Sequence, residues 1–297
     1  MEAIITIVGF LGAGKTTLLR SLVSNYLEND WEPFVILNDY ENAQIDADQL
    51  AHQINPKFIQ PLSGSCICCS GINELREFIN NVPPRNKGLT IIEANGTSDA
   101  CALNGFLGVG LNQRFLPPIQ ISVIDSLNWQ KRGNLNELES NQIQVSSLIV
   151  LNHKKPIGKA REMEIIKSIE KFNPLAKIIK MDDINIELLP HLLPSKNTST
   201  PLDHQKAHWS SCSIDMPILP NTECIQKICD ALPESIIRVK GCVKIHGNKE
   251  YTYFDRSIDS PINIKPFYGQ PITGPKLLTI GPGSQKSVLE SAIAMAL

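Results

Sequence analysis

No apolar run in this chain approaches the ~18–20 residues that a membrane-spanning helix requires, so no helical span is expected. Neither sign of charge is in excess: Lys and Arg number 28, Asp and Glu 30, and the net charge is −2. No basic excess therefore points to nucleic acid, and no acidic tail suggests a solvating arm. Internal repeats and low-complexity tracts are absent too. The first apolar strand is read almost at Met1, so no signal peptide is expected. On that expectation the 8 cysteines read as thiols rather than disulfides, and the expected location is cytoplasmic. What remains is an ordinary globular composition, and 297 residues suffice for one large domain and a smaller one.

The stretch Gly9-Phe10-Leu11-Gly12-Ala13-Gly14-Lys15-Thr16-Thr17 organises the rest. It follows the apolar run Ala3–Val8, read as a strand, and opens the amphipathic segment from Thr16 to Leu27, read as a helix. Strand, glycine loop, Lys-Thr and helix together form a phosphate-binding P-loop in its required context. The glycines let backbone N–H groups turn inward around phosphate oxygens, and the helix N-terminus adds the positive end of its dipole. Lys15 is placed to reach the outer phosphates, and the Thr16 hydroxyl to ligate Mg²⁺. A glycine-rich turn matching by accident would lack that flanking strand and helix.

Short apolar runs then alternate with helical patterns. Strands are expected at Pro33 to Leu37, Lys57 to Leu62, Leu89 to Glu93, Pro118 to Ile124, Ser147 to Leu151 and Ala176 to Met181. Helices are expected at Ile72 to Ile79, Leu135 to Ile143 and Arg161 to Phe172. Such alternation predicts an α/β domain, here a P-loop NTPase domain with a mostly parallel sheet flanked by helices, over residues 1–188. A proline-containing stretch with Ser, Asn, Thr and His reads as a linker over 189–206. Beyond it, alternating runs at Trp209 to Asp215, Ile236 to His246 and Tyr251 to Phe254, with a helix at Thr222 to Leu232, predict a small α+β domain over 207–297.

Glu93 closes an apolar strand and Gly96 follows it; after a P-loop, an acid there supports Mg²⁺ or its water and a nearby glycine N–H senses the γ-phosphate. Taken alone, Glu93 would read as a solvated strand-end carboxylate. Cys66-Ile67-Cys68-Cys69 offers three thiols in a glycine-flanked loop. They fit convergence on a soft or borderline cation such as Zn²⁺, a redox pair, or small buried hydrophobes. With no second cysteine pair at zinc-site spacing, an incomplete site suits a metal held transiently. Residues 38–46, after the second strand, read as a polar loop in which Asp39 and Glu41 could face either the Mg²⁺ or the thiols, or stand as simple solvated acids. His204 and His208 have paired-ligand spacing but sit in the linker, where a solvated pair is the simpler reading. Cys224 and Cys229, five apart, point to different faces of a helix and read as core, as do Cys101, Cys212 and Cys242. The residue types name no group that would position an attacking water.

On these residues the chain resembles the CobW-like P-loop GTPases, relatives of the HypB and UreG nickel-insertion proteins. The P-loop with Thr16-Thr17-Leu18-Leu19, the Cys66-Ile67-Cys68-Cys69 loop and the Glu93-x-x-Gly96 element fall in the family's order across about residues 1–181. The family's Asn-Glu-Phe-Gly stretch ending in Ile-Asp reads here Asn38-Asp39-Tyr40-Glu41, ending Ile45-Asp46. The C-terminal part is similar in outline, through Arg238-Val239-Lys240-Gly241 and Leu278-Thr279-Ile280-Gly281. The resemblance implies a GTP-hydrolysing metallochaperone, using GTP (or ATP) and Mg²⁺, that delivers Zn²⁺, Co²⁺ or a related metal to a client metalloprotein. It implies the transferred metal on Cys66, Cys68 and Cys69 with Asp39 assisting, and Mg²⁺ on Thr16 and Glu93. Nucleotide would be held by Gly9, Gly12, Ala13, Gly14, Lys15, Thr16, Thr17 and Asn152, with Lys15, Thr16, Glu93 and Gly96 serving hydrolysis; a homodimer is a further implied partner.

Two departures from the family pattern stand out. Its guanine-reading Asn-Lys-x-Asp is here Asn152-His153-Lys154-Lys155, and a lysine cannot accept the guanine N–H donors. The switch glycines are replaced by Glu41 and Gln44, and a histidine-rich metal-storing stretch is absent. These departures keep two alternatives open: a regulatory or scaffolding nucleotide-binding protein with weak hydrolysis, and a thiol redox sensor.

Overall fold

A run such as Ala-Ile-Ile-Thr-Ile-Val is rich in β-branched residues and apolar on both faces, which suits a parallel strand covered by helices on each side. In the computed structural model it forms β1 (Ala3–Val8), at the centre of a seven-stranded, mostly parallel sheet. The structure describes residues 1–39, 43–63, 71–153, 156–195, 211–257, 261–267, 271 and 274–297. The other strands are β2 (Glu32–Asp39), β3 (Ile59–Ser63), β4 (Gly88–Glu93), β5 (Ile119–Asp125), β6 (Leu148–Asn152) and β7 (Lys177–Lys180). Their order is β3-β2-β4-β1-β5-β6-β7, and β1 pairs parallel with β4 and β5. β4 and β5 are buried along their whole length, as a sheet covered on both faces requires.

The helices of this part are α1 (Lys15–Glu28), α2 (Ala43–Leu50), α3 (Ile72–Asn81), α4 (Ala100–Leu107), α5 (Asn136–Gln144) and α6 (Lys159–Phe172). In α1, Leu18, Leu19, Leu22, Val23 and Tyr26 are buried, a stripe at helical spacing. Two helices depart from the sequence expectation. The segment containing Ile45-Asp46 was read as a polar loop, yet it is α2, where Ala43, Ala47 and Leu50 are buried one turn apart. α4 carries Gly105 in its interior, and its pattern gave no helix signal.

By the distribution of contacts the chain divides into two units. One comprises residues 1–38, 53–60 and 65–207, and holds most of the parallel sheet; the other comprises 39–52, 61–64 and 208–297, and so includes α2. In the second unit β8 (Ser211–Asp215), β9 (Arg238–Lys244), β10 (Tyr251–Ser257), β11 (Asn263–Phe267) and β12 (Lys276–Ile280) form an antiparallel sheet in the order β11-β10-β9-β12-β8. Helices Glu223–Ala231 and Lys286–Ala296 cover one face, burying Val239, Val243, Phe254 and Leu277 with Ile225, Ile228, Leu289 and Ile293. The opposite face carries Cys242, Tyr253 and Phe267, together with Lys240, whose Nζ donates to Asp46 Oδ2 of α2 at 2.6 Å.

Cys224 and Cys229 lie in one core cluster, because the helix buries a face wider than the angle between them. Burial pushes the Cys229 and Cys242 thiols up to about 12, as for small hydrophobes. Cys101 is buried and Cys212 half-buried. Among the described residues no helix is long and apolar enough to cross a membrane, and no cluster of His, Cys, Asp and Glu is arranged to hold a metal.

Candidate nucleotide site

Parallel strands present their carboxyl ends at one edge, and a crevice opens there where the strand order reverses. β1 is that point here: the chain leaves it for β2 on one side, with β4 between, and β5 lies on the other. The register brings Ile7 of β1 and Leu37 of β2 level with Glu93 of β4, and Asp125 of β5 level with Asn152 of β6. The P-loop, Asn38, Glu93, Asp125 and Asn152 therefore share one edge.

The loop after β1 has the conformation its glycines allow. Gly9, Gly12 and Gly14 take φ of 143°, 74° and 109°, and a Cβ on Gly9 would stand 2.2 Å from the Val123 carbonyl oxygen of β5. The loop closes through Ala13 N–H to Phe10 O at 3.1 Å, and α1 starts at Lys15 with Leu18 N–H donating to Gly14 O. Lys15 is buried, its Nζ donating to Gly9 O at 3.0 Å and to Phe10 O at 3.4 Å. Its ammonium thus already lies over the loop, as a ligand for outer phosphates must. Thr16 Oγ1 donates to Glu93 Oε1 at 2.8 Å across 77 residues of sequence. Thr17, by contrast, is exposed.

Gly96 abuts the same loop: a Cβ there would meet Leu11 N at 2.7 Å and Leu11 Cδ2 at 2.4 Å. Asn152 Nδ2 donates to Ala13 O at 2.7 Å, so this side chain braces the P-loop, whatever else it contacts. The structure thus brings together Gly9, Gly12, Ala13, Gly14, Lys15, Thr16, Glu93, Gly96 and Asn152. Asp39 is the last residue of β2. Cys66, Cys68, Cys69, Glu41, Lys154, Lys155, His204 and His208 lie outside the described residues.

The supports of this site were not apparent from sequence. Helix α5 buries Leu138, Glu139, Ser140, Asn141, Gln142 and Ile143, four of them polar in succession. Gln142 Nε2 donates to Gly96 O at 3.0 Å and Ser98 O at 3.3 Å, and Asn141 Nδ2 to Asp99 Oδ1 at 3.1 Å. Asp99 also caps α4 by accepting from Ala102 N–H at 2.9 Å. On the P-loop side, the Arg132 guanidinium lies 4.8 Å from the Phe10 ring centre, a cation–π contact. It bonds Asp125 Oδ2 at 3.3 Å and Glu139 Oε1, all three side chains being buried. Two carboxylates on one guanidinium leave a net negative charge, and burial, reinforced by Asp125, pushes the Glu139 carboxyl up to about 7 against the pull of Arg132 and the Gln130 N–H. The one available signal was the unbroken polar run inside a helical segment.

Residues 3–180 match the family model for the CobW/HypB/UreG nucleotide-binding domain. The chain is 28% identical over 197 residues to the zinc chaperone YjiA of Escherichia coli (strain K12), covering 63% of this chain and 60% of that one. It is 29% identical over 217 residues to zinc-regulated GTPase metalloprotein activator 1 of Schizosaccharomyces pombe (strain 972 / ATCC 24843), covering 65% of this chain and 50% of the relative. The match thus spans less than two thirds of either relative's length. Among solved structures, Zn(II)-bound YjiA GTPase from E. coli aligns over 98% of both chains at 18% identity, with a TM-score of 0.43.

Proposed function

This chain belongs to the CobW/HypB/UreG family of P-loop GTPases, and on that footing we propose that it is a nucleotide-dependent metal chaperone, using GTP rather than ATP and delivering zinc, cobalt or a related metal to a client metalloprotein. The observation that carries this reading is the Thr16–Glu93 contact of 2.8 Å, which joins the head of the phosphate-binding helix to the end of β4 beside Gly96. A γ-phosphate bound at that junction would be felt at once by the P-loop and by the loop after β4. Lys15, the loop N–H groups and the α1 dipole would stabilise charge on the phosphoryl group. Magnesium fits the oxygens present, since a hydroxyl and a carboxylate are hard donors of the kind it takes. Bound by Thr16 and Glu93, it would supply neutralisation of the phosphate charge.

The metal to be transferred would be held by the thiolates of Cys66, Cys68 and Cys69, whose softness suits zinc, with Asp39 as an oxygen donor. Relatives named for zinc support that assignment of cargo. The cysteine loop falls between β3 and α3, directly after the segment 61–64.

The test is the zinc affinity of the chain loaded in turn with GDP and a non-hydrolysable GTP analogue. Coupling of ~1–3 kcal/mol, about a 5- to 150-fold difference in affinity, is expected. The difference should vanish in the Cys68→Ser/Cys69→Ser variant. Equal zinc affinity in both nucleotide states would remove the chaperone switch and favour a second reading, a regulatory nucleotide-binding protein. That second reading has its own support in Lys155, which stands where guanine-reading relatives carry a carboxylate. Turnover of order 10⁻² s⁻¹ or faster would count against it.

A further inference from the structure

The loop after β4 contains a side chain whose hydrogen bonding is half complete. Asn95 is 4% exposed, and its Oδ1 accepts from Thr97 N–H at 2.7 Å and from Thr97 Oγ1 at 2.8 Å. A backbone N–H can only donate, so the oxygen must face it and the orientation of the amide is fixed. The Nδ2 group, with two hydrogens, is buried and has no acceptor among the described residues. A buried donor left unsatisfied costs on the order of 1–3 kcal/mol, so such groups call for a partner.

Its position says which partner. Two residues before it, Glu93 takes the Thr16 hydroxyl; the residue after it, Gly96, packs against the backbone of Leu11 in the P-loop. Asn95 therefore sits between two residues that both touch the phosphate-binding loop. The loop is also held rigidly, since Gln142 fixes the carbonyls of Gly96 and Ser98, and Asn141 the carboxylate of Asp99. A donor pre-oriented in this way, beside a site built for anions, matches a group whose charge appears only when ligand is bound.

We propose that Asn95 donates its side-chain amide to the terminal phosphoryl group of bound nucleoside triphosphate, and so distinguishes triphosphate from diphosphate. The inference rests on the phosphate-site reading above and adds to it a side chain that touches the reacting group. It implies that the diphosphate, lacking that group, does not engage Asn95.

The test compares the full chain with Asn95→Asp and Asn95→Ser by titration with fluorescent GDP and a fluorescent non-hydrolysable GTP analogue in Mg²⁺. Asn95→Asp keeps the acceptor for Thr97 and removes the donor. Asn95→Ser is neutral and retains a turn-forming oxygen too short to reach. In both, the preference for triphosphate over diphosphate should fall about 10- to 100-fold, the scale of one hydrogen bond to a charged group. GDP affinity should stay within about 3-fold of wild type, and the melting curve should be retained. Equal losses for both nucleotides would make Asn95 a loop-shaping residue and overturn the proposal, as would an unchanged preference in both variants. Failure of the wild-type chain to bind either nucleotide would instead overturn the phosphate-site reading on which it stands.

Discussion

The buried triad of Asp125, Arg132 and Glu139 makes a quantitative prediction about stability. Glu139 is 3% exposed, and Arg132 already has Asp125 as counter-ion, so ionising Glu139 places a second negative charge on one guanidinium. Burial is the largest influence, and it raises the carboxyl from its ordinary 4.5 to about 7. An acid whose folded-state pKa is raised holds its proton more tightly folded than unfolded. Its contribution to stability is therefore whole below pH ~4.5 and is lost as pH rises through ~7. At ~1.4 kcal/mol per pH unit the interval corresponds to about 3 kcal/mol. Glu139→Gln keeps an oxygen for the Gln130 N–H, which Glu139 Oε2 accepts at 2.9 Å, and cannot ionise. Urea unfolding of both proteins between pH 4.5 and 8, read as a difference, cancels the other titrating groups. The variant should gain on wild type by up to about 3 kcal/mol as pH rises across that window. A difference that is flat, or that moves the other way, would show Glu139 to be ionised throughout as a true partner of Arg132, and would refute the two-carboxylate argument.

The remaining predictions concern packing and the second unit. Gly9→Ala should cost more than about 2 kcal/mol of unfolding free energy, because the backbone sits at φ 143° and the new methyl would meet the Val123 carbonyl at 2.2 Å. Gly105→Ala, in α4 with nothing within 4 Å, should instead gain roughly 0.5–1 kcal/mol; equal effects at the two sites would discredit the close-approach reading. In the second unit, Lys240 is 2% exposed and ion-paired to Asp46 of α2, so Asp46→Asn should cost about 3–5 kcal/mol. Asp46→Leu/Lys240→Met should recover most of that loss, and a double-mutant cycle showing additivity would mean the pair is not coupled.

The phosphate site was legible in the sequence because its determinants are local. Gly9, Gly12 and Gly14 declare positive φ, Lys15 and Thr16 follow at fixed offsets, and the apolar runs of β1 and β4 announce strands buried on both faces. What holds the site was not legible, because hydrophobic periodicity reports apolar burial and says nothing about buried polar residues. Asn141 and Gln142 meet Asp99 and Gly96 across 42 and 46 residues, and no local pattern encodes such pairings. The same blindness hid β11, an edge strand carrying Pro266, a residue that argues against a central strand but is tolerated at an edge. α2 was hidden for a different reason: its polar residues read as a loop, while Asp46 is drawn into pairing with Lys240, 194 residues away. By its contacts α2 belongs to the second unit, where the Asp46–Lys240 ion pair ties it to β9, a pairing that no periodicity within residues 43–50 could announce.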